Sequence, residues 1–187
     1  LPLAERLGRV VVALSAGHVE AIEVTVSGGL AEHDTRLVTL AVLRGALSGL
    51  DEDANLINAR ALAAARGIEV RESKRAAADY TNLIRVATSA SVRVSGTTIG
   101  RDNRPWLVRA LGYEVEIELA GRMLFLTNED RPGMIGRIGA VLGDEGVNIS
   151  NMNVSRNRDG GRALTAIQVD EALPARAIER LAAIDGC

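Results

Sequence analysis

A chain of 187 residues, 47% of them hydrophobic, is long enough to bury a core as one domain or two small ones. A formal charge of −2 and an aromatic content of 2% supply neither a basic face for nucleic acid or anionic membrane nor platforms for stacking bases. The single cysteine, Cys187, excludes an intrachain disulfide and fits a cytoplasmic protein; with only His18 and His33 as imidazoles a structural zinc site would have to be built from carboxylates, and no apolar run nears the ~20 residues of a membrane span. The chain opens on Leu1 rather than Met and is read as part of a longer protein.

Leu3, Leu7, Val10, Val11 and Leu14 recur at helical steps, with Pro2 at a helix start and Gly17 at its end. A helix at such an edge is expected to pack on a domain upstream. Ile22, Val24 and Val26 alternate with Glu23 and Thr25, a half-buried strand broken by Gly28-Gly29. Asp34-Thr35 opens a second helix striped by Leu37, Leu40, Ala41, Arg44 and Leu47 and closed by Gly49. Residues 58–66 form an alanine-rich helix stopped by Gly67, and 68–72 a short strand. From 82 to 99 Val92, Val94 and Gly96 alternate with Ser91, Arg93 and Ser95; Asp102-Asn103 signals a turn, and 106–111 and 113–119 read as strands around Gly112. Helices in one stretch and strands in the next predict an α+β layer, a mixed or antiparallel sheet with helices on one side. Gly121 ends it, which gives an expected division into an edge helix at 1–17, a first domain at 18–120 and a second at 121–187.

In the last part, 123–127 is a strand and Ile135, Ile138, Val141 and Leu142 stripe a helix ended by Gly146. Along 147–155 the apolar parity switches from Val147 and Ile149 to Met152 and Val154, which predicts a bulge near Ser150-Asn151. Asp159-Gly160-Gly161 turns a hairpin; Ala163, Thr165, Ile167 and Val169 share a face of the returning strand. Pro174 starts a helix with Ala177, Ile178, Leu181 and Ala182 inward. The order β-α-β-β-α is a ferredoxin-like unit lacking its last strand, expected after Gly186.

The run Leu126-Thr127-Asn128-Glu129-Asp130-Arg131-Pro132-Gly133-Met134-Ile135-Gly136 carries the chemistry. Pro132-Gly133 is expected to begin a helix whose free N–H groups at Met134, Ile135 and Gly136 can take a carboxylate, with Gly133 admitting a ligand close to the backbone. Asp130 can face an ammonium, although it is also a good helix cap. Asn128 and Asn148 offer amides that suit a hydroxyl, although Asn148 can equally satisfy strand backbone. No nucleophile, base or metal cage accompanies them, so the loop is equipped to sense an amino acid rather than to transform one.

Asn128 to Gly136 with the later Gly146-Val147-Asn148-Ile149 resembles the signature of an ACT domain, the amino-acid-binding regulatory module. Asp79-Tyr80-Thr81-Asn82-Leu83-Ile84, Val94-Ser95-Gly96-Thr97-Thr98-Ile99-Gly100 and Arg109-Ala110-Leu111-Gly112-Tyr113 resemble the intervening domain of long-form D-3-phosphoglycerate dehydrogenase, and the first residues resemble the helix leaving that enzyme's nucleotide-binding domain. The resemblance implies an NAD-dependent oxidoreductase of serine synthesis, cytoplasmic and homo-oligomeric, whose catalytic and NAD-binding residues are not in this chain. It implies feedback inhibition by L-serine held between paired ACT domains, at positions matching Asn128, Asp130, Gly133, Met134, Ile135 and Asn148. Gly17 and Gly121 are candidate hinges. Some members also bind an anion on the intervening domain; Arg101, Arg104 and Arg109 are the candidates, but Glu114, Glu116 and Glu118 follow closely and solvated surface charge is the better account. The rivals are a structural oligomerisation module without ligand response and the accessory domains of an iron–sulfur L-serine dehydratase, whose cluster cysteines are absent here.

Overall fold

The computed structural model describes residues 1–15, 19–76, 79–157 and 160–187. Gly17, His18 and Asp159 lie outside the described residues. Backbone contacts divide the chain into two units, Leu1–Leu111 and Gly112–Cys187.

The first unit runs α1 (Pro2–Leu14), β1 (Ala21–Gly28), α2 (Arg36–Leu47), α3 (Ala59–Ala65), β2 (Glu69–Arg75), β3 (Asn82–Thr88), β4 (Arg93–Ile99) and β5 (Arg104–Ala110). Within it the strands stand in the order β2-β1-β3-β4-β5. β1 and β2 are parallel, joined by a crossover that contains α2 and α3, whereas β3, β4 and β5 add antiparallel neighbours. The sheet is therefore mixed. α1 presses its buried Leu3, Ala4, Leu7, Gly8, Val10 and Val11 onto this unit's own strands and α2. The expectation of an upstream partner for that stripe is corrected, because the unit covers it already.

Two close approaches set this packing. A Cβ placed on Gly96 of β4 would stand 2.8 Å from Leu3 Cδ1 and 2.7 Å from the Trp106 carbonyl oxygen. Where α1 crosses α2, a Cβ on Gly8 would stand 2.0 Å from the Val42 carbonyl oxygen, and one on Gly45 1.9 Å from that of Glu5. So tight a crossing selects glycine at the contact itself, while α2 also buries Val38, Ala41, Val42, Leu43, Ala46 and Leu47. Leu37, placed in the stripe by apolarity alone, is turned out and 56% exposed.

The second unit runs β6 (Tyr113–Glu118), β7 (Arg122–Glu129), α4 (Met134–Asp144), β8 (Ile149–Arg156), β9 (Arg162–Val169) and α5 (Ala175–Ala182). β7, β9 and β8 form an antiparallel sheet in that order. The register shifts between Ile149 and Asn151, the bulge that the switch of parity announced. Met134, Ile138 and Leu142 of α4, Val147, Ile167 and Val169, and Leu181 of α5 make the core. Ile135 and Ile178, assigned to the inner stripes from sequence, face outward instead. After α5 the chain returns to the end of β7, where the Glu129 N–H donates to the Gly186 carbonyl at 2.7 Å. The Arg131 guanidinium holds the same segment through Asp185 Oδ2 at 2.6 Å.

α4 and α5 are clamped at one point. The Glu145 side chain, only 2% exposed, accepts from Arg176 Nε at 2.8 Å and Arg180 Nη1 at 2.7 Å, and Arg180 also reaches Asp144. These hydrogen bonds from Arg176 and Arg180 hold its carboxyl below the ordinary value of 4.5. A depressed carboxyl stabilises the fold fully above its unfolded-state value and loses that contribution as the pH falls through the folded-state value. The wild-type chain should therefore melt above Glu145→Gln at pH 7, with a gap that persists to about pH 5 and closes at lower pH. Melts followed by circular dichroism from pH 7 to 3 check this; a gap that does not narrow in acid would show that the clamp adds no linkage.

Candidate functional site

The site grows out of the sheet rows. On the helix-covered face of the second unit, Leu124, Ile167 and Met152 lie abreast across β7, β9 and β8; the next row is Leu126, Thr165, Val154, and the next Asn128, Ala163, Arg156. Moving along β7 toward its loop, the rows turn from apolar to polar. The middle residue of the last row, Ala163, is fully buried. α4 begins over this end. Its N-cap is Gly133 in the left-handed region (φ 84°), with no side-chain cap, so the helix starts at Met134. This corrects two expectations: Pro132 stays in the turn, and Asp130 does not cap the helix.

The result is a pocket of about 360 Å³ lined by Asn128, Asp130, Arg131, the segment from Pro132 to Gly136, Val154 and Arg156. That volume sits at the small end of sites for small molecules. Among the described residues no acceptor faces the N–H groups of Ile135 and Gly136, whereas the Met134 N–H leans toward the Arg131 carbonyl at 3.4 Å. The positive end of the helix dipole thus opens into the pocket.

The side chains differ in how far they are committed. Asn128 is 2% exposed; its Nδ2 donates to the Glu129 carbonyl at 2.8 Å, and its Oδ1 accepts from Thr165 Oγ1 at 2.8 Å. Asp130 pairs with Arg156, Nε to Oδ2 3.0 Å, with side-chain exposures of 26% and 72%. Arg131 lines the pocket with its guanidinium turned to Asp185 and Glu129. The hydrogen bond to Asp185 raises the Arg131 pKa further and lowers that of Asp185.

Five of the six residues expected to hold an amino acid therefore converge: Asn128, Asp130, Gly133, Met134 and Ile135. Asn148 does not. It precedes β8 at the other end of the sheet, roughly 20 Å along the strands from Asn128, where its Nδ2 donates to Asp170 Oδ2 at 2.6 Å. Arg156 and Thr165 were not foreseen. The signal for them was the strand period: Arg156 lies two residues beyond Val154 and shares its face.

The three arginines of the first unit do not gather. Arg101 sits in the turn before β5, and Arg104 and Arg109 are separated along β5 by roughly 16 Å. Arg109 is half-buried and donates from Nη2 to Asp79 Oδ2 at 2.5 Å. The register shift between Ser95 and Gly96 sets Arg109 opposite Ser95, which faces Arg85 on β3. Arg85 is thus the cation that shares a row with Arg109.

Comparison with known proteins adds the family. Residues 1–110 match the family model described as the D-3-phosphoglycerate dehydrogenase intervening domain, and residues 122–186 match the ACT domain. A protein named D-3-phosphoglycerate dehydrogenase from Methanocaldococcus jannaschii is 36% identical, over 96% of this chain and 34% of its own length. Proteins of the same name from Archaeoglobus fulgidus and a Synechocystis species are 32% and 33% identical over 100% of this chain, and 36% and 34% of their lengths. The chain spans about a third of the length of the curated relatives it matches. Since the first match alone takes in more than half of its residues, this chain belongs to the D-3-phosphoglycerate dehydrogenase intervening-domain family, with an ACT domain as its second part.

Proposed function

We propose that this chain is the regulatory segment of a D-3-phosphoglycerate dehydrogenase, an NAD-dependent cytoplasmic enzyme of serine synthesis, and that it binds L-serine for feedback inhibition. NAD is not assigned to this chain. No two of its glycines stand two positions apart, so it holds no dinucleotide fingerprint. The observation that carries the proposal is the pocket at the start of α4, where Asp130 and the N–H groups of Ile135 and Gly136 face one space. A carboxylate suits the helix start and an ammonium suits Asp130.

Self-association belongs to the same reading. Asn148, about 20 Å from the pocket in its own chain, reaches an amino acid only if a second copy contributes it. Serine then bridges two ACT units, and its occupancy biases their arrangement by its preference for one of two states. Calorimetry with L-serine is the test. Asp130→Ala is expected to weaken binding at least tenfold, from the loss of a charge-assisted hydrogen bond. Asn148→Ala should weaken it too and lower the oligomeric state seen by light scattering in the presence of serine. Identical isotherms for wild type and Asp130→Ala would take the pocket out of the function.

A further inference from the structure

We infer that Arg156 selects zwitterions at the ACT pocket: it covers Asp130 while the pocket is empty and takes the carboxylate of an amino acid once the ammonium has displaced it. This deepens the amino-acid reading and rests on it.

The charges in the pocket differ in whether they can change partner. Asn128 is locked by Glu129 and Thr165, and Arg131 is turned to Asp185 and Glu129. The exchangeable charges are Asp130 and Arg156, which face each other at 3.0 Å. An ammonium that enters meets Asp130 already occupied by a guanidinium. Displacing that guanidinium is cheap, because Arg156 is 72% exposed and exposed pairs are weak. Its base, however, is fixed on β8 opposite Ala163, two residues from Val154, which lines the same pocket. The freed guanidinium therefore stays within reach of the ligand's other end.

Charge balance then decides what is accepted. A zwitterion replaces one internal pair by two: ammonium with Asp130, carboxylate with Arg156 and the helix start. A plain amine replaces the pair by one contact and leaves Arg156 without a counter-charge. The residue acts as a filter against amines, and a planar guanidinium is suited to a carboxylate by its fork of donors.

Calorimetry on the 187-residue chain with L-serine and L-serinamide, for wild type and Arg156→Gln, tests this. Wild type should prefer L-serine by at least tenfold. In Arg156→Gln that preference should shrink at least threefold, through weaker serine binding and unchanged or tighter serinamide binding, with the remainder owed to the helix start. An undiminished preference in Arg156→Gln, or equal loss for both ligands, overturns the inference and leaves the amino-acid reading standing. Absence of binding by wild type to either ligand overturns both.

Discussion

Gly8→Ala is expected to destabilise the first unit by about 2–3 kcal/mol, the cost of forcing a methyl group into a filled contact. The obstacle is backbone: the added carbon would lie 2.0 Å from the Val42 carbonyl oxygen and 2.9 Å from its carbon, and neither can swing away as a side chain can. The helices must part, and with them the seating of Leu3 and Leu7 over Gly96. Gly45→Ala meets the same barrier from the other side, at the Glu5 carbonyl. The two changes act on one crossing, so their double mutant should cost less than the sum of the singles. A helical glycine in open space provides the control. Gly139 of α4 has nothing within 4 Å of where its Cβ would be, so Gly139→Ala should stabilise the second unit by about 0.5–1 kcal/mol through helix propensity. Urea unfolding of the three variants checks the opposite signs. A neutral Gly8→Ala would mean that the crossing is looser than the contacts state.

Thr165→Val is expected to cost about 1–3 kcal/mol although it preserves shape, because it strands a buried acceptor. Thr165 is 0% exposed and its hydroxyl is the donor to Oδ1 of Asn128, a residue 2% exposed. Asn128→Leu should cost a similar amount, since it leaves the Thr165 hydroxyl and the Glu129 carbonyl without the amide. Replacing both residues removes the polar pair as a unit, so the double variant should be more stable than the sum predicts by about 1 kcal/mol. Strict additivity in urea unfolding would show that the hydrogen bond contributes nothing in the folded chain. The same pair bears on recognition. With its donor and acceptor both engaged inside the fold, Asn128 shapes the pocket floor, and contact with a ligand hydroxyl through this amide requires one of those bonds to open.

Much of the second unit was legible because its signals are local. Alternation along β9 and the parity switch in β8 follow from the two-residue period of a strand, and both appear in the register. Helical stripes were less secure. Ile135 and Ile178 are apolar and one step from the buried positions, yet the face that meets the sheet runs through Met134, Ile138 and Leu142 in α4 and through Ala177 and Leu181 in α5. Apolarity does not fix rotation about a helix axis when neighbouring positions are all apolar.

The pocket was legible as a loop and not as a set of partners. Asp130 reads as a helix cap until Gly133 is found in that place, and a charged Arg156 near a strand end reads as solvated surface. Asn148 carries no sign of its distance from Asn128, because that distance depends on how far two strands run before they turn. The parallel pairing of β1 with β2 was hidden for a related reason: the partner lies beyond two helices, and nothing within either strand records it.

The seating of Leu3 and Leu7 on Gly96 has a consequence for biosynthesis. Gly96 leaves the ribosome about 90 residues after Leu7, a wait of roughly 5–20 s at the usual speed of translation. For most of that interval the greasy side of the first helix has α2 to lean on, joined late by β3, while the rest of its floor is still unmade. The nascent chain should be most prone to capture by chaperones, or to clumping, between the emergence of α2 and the arrival of β4.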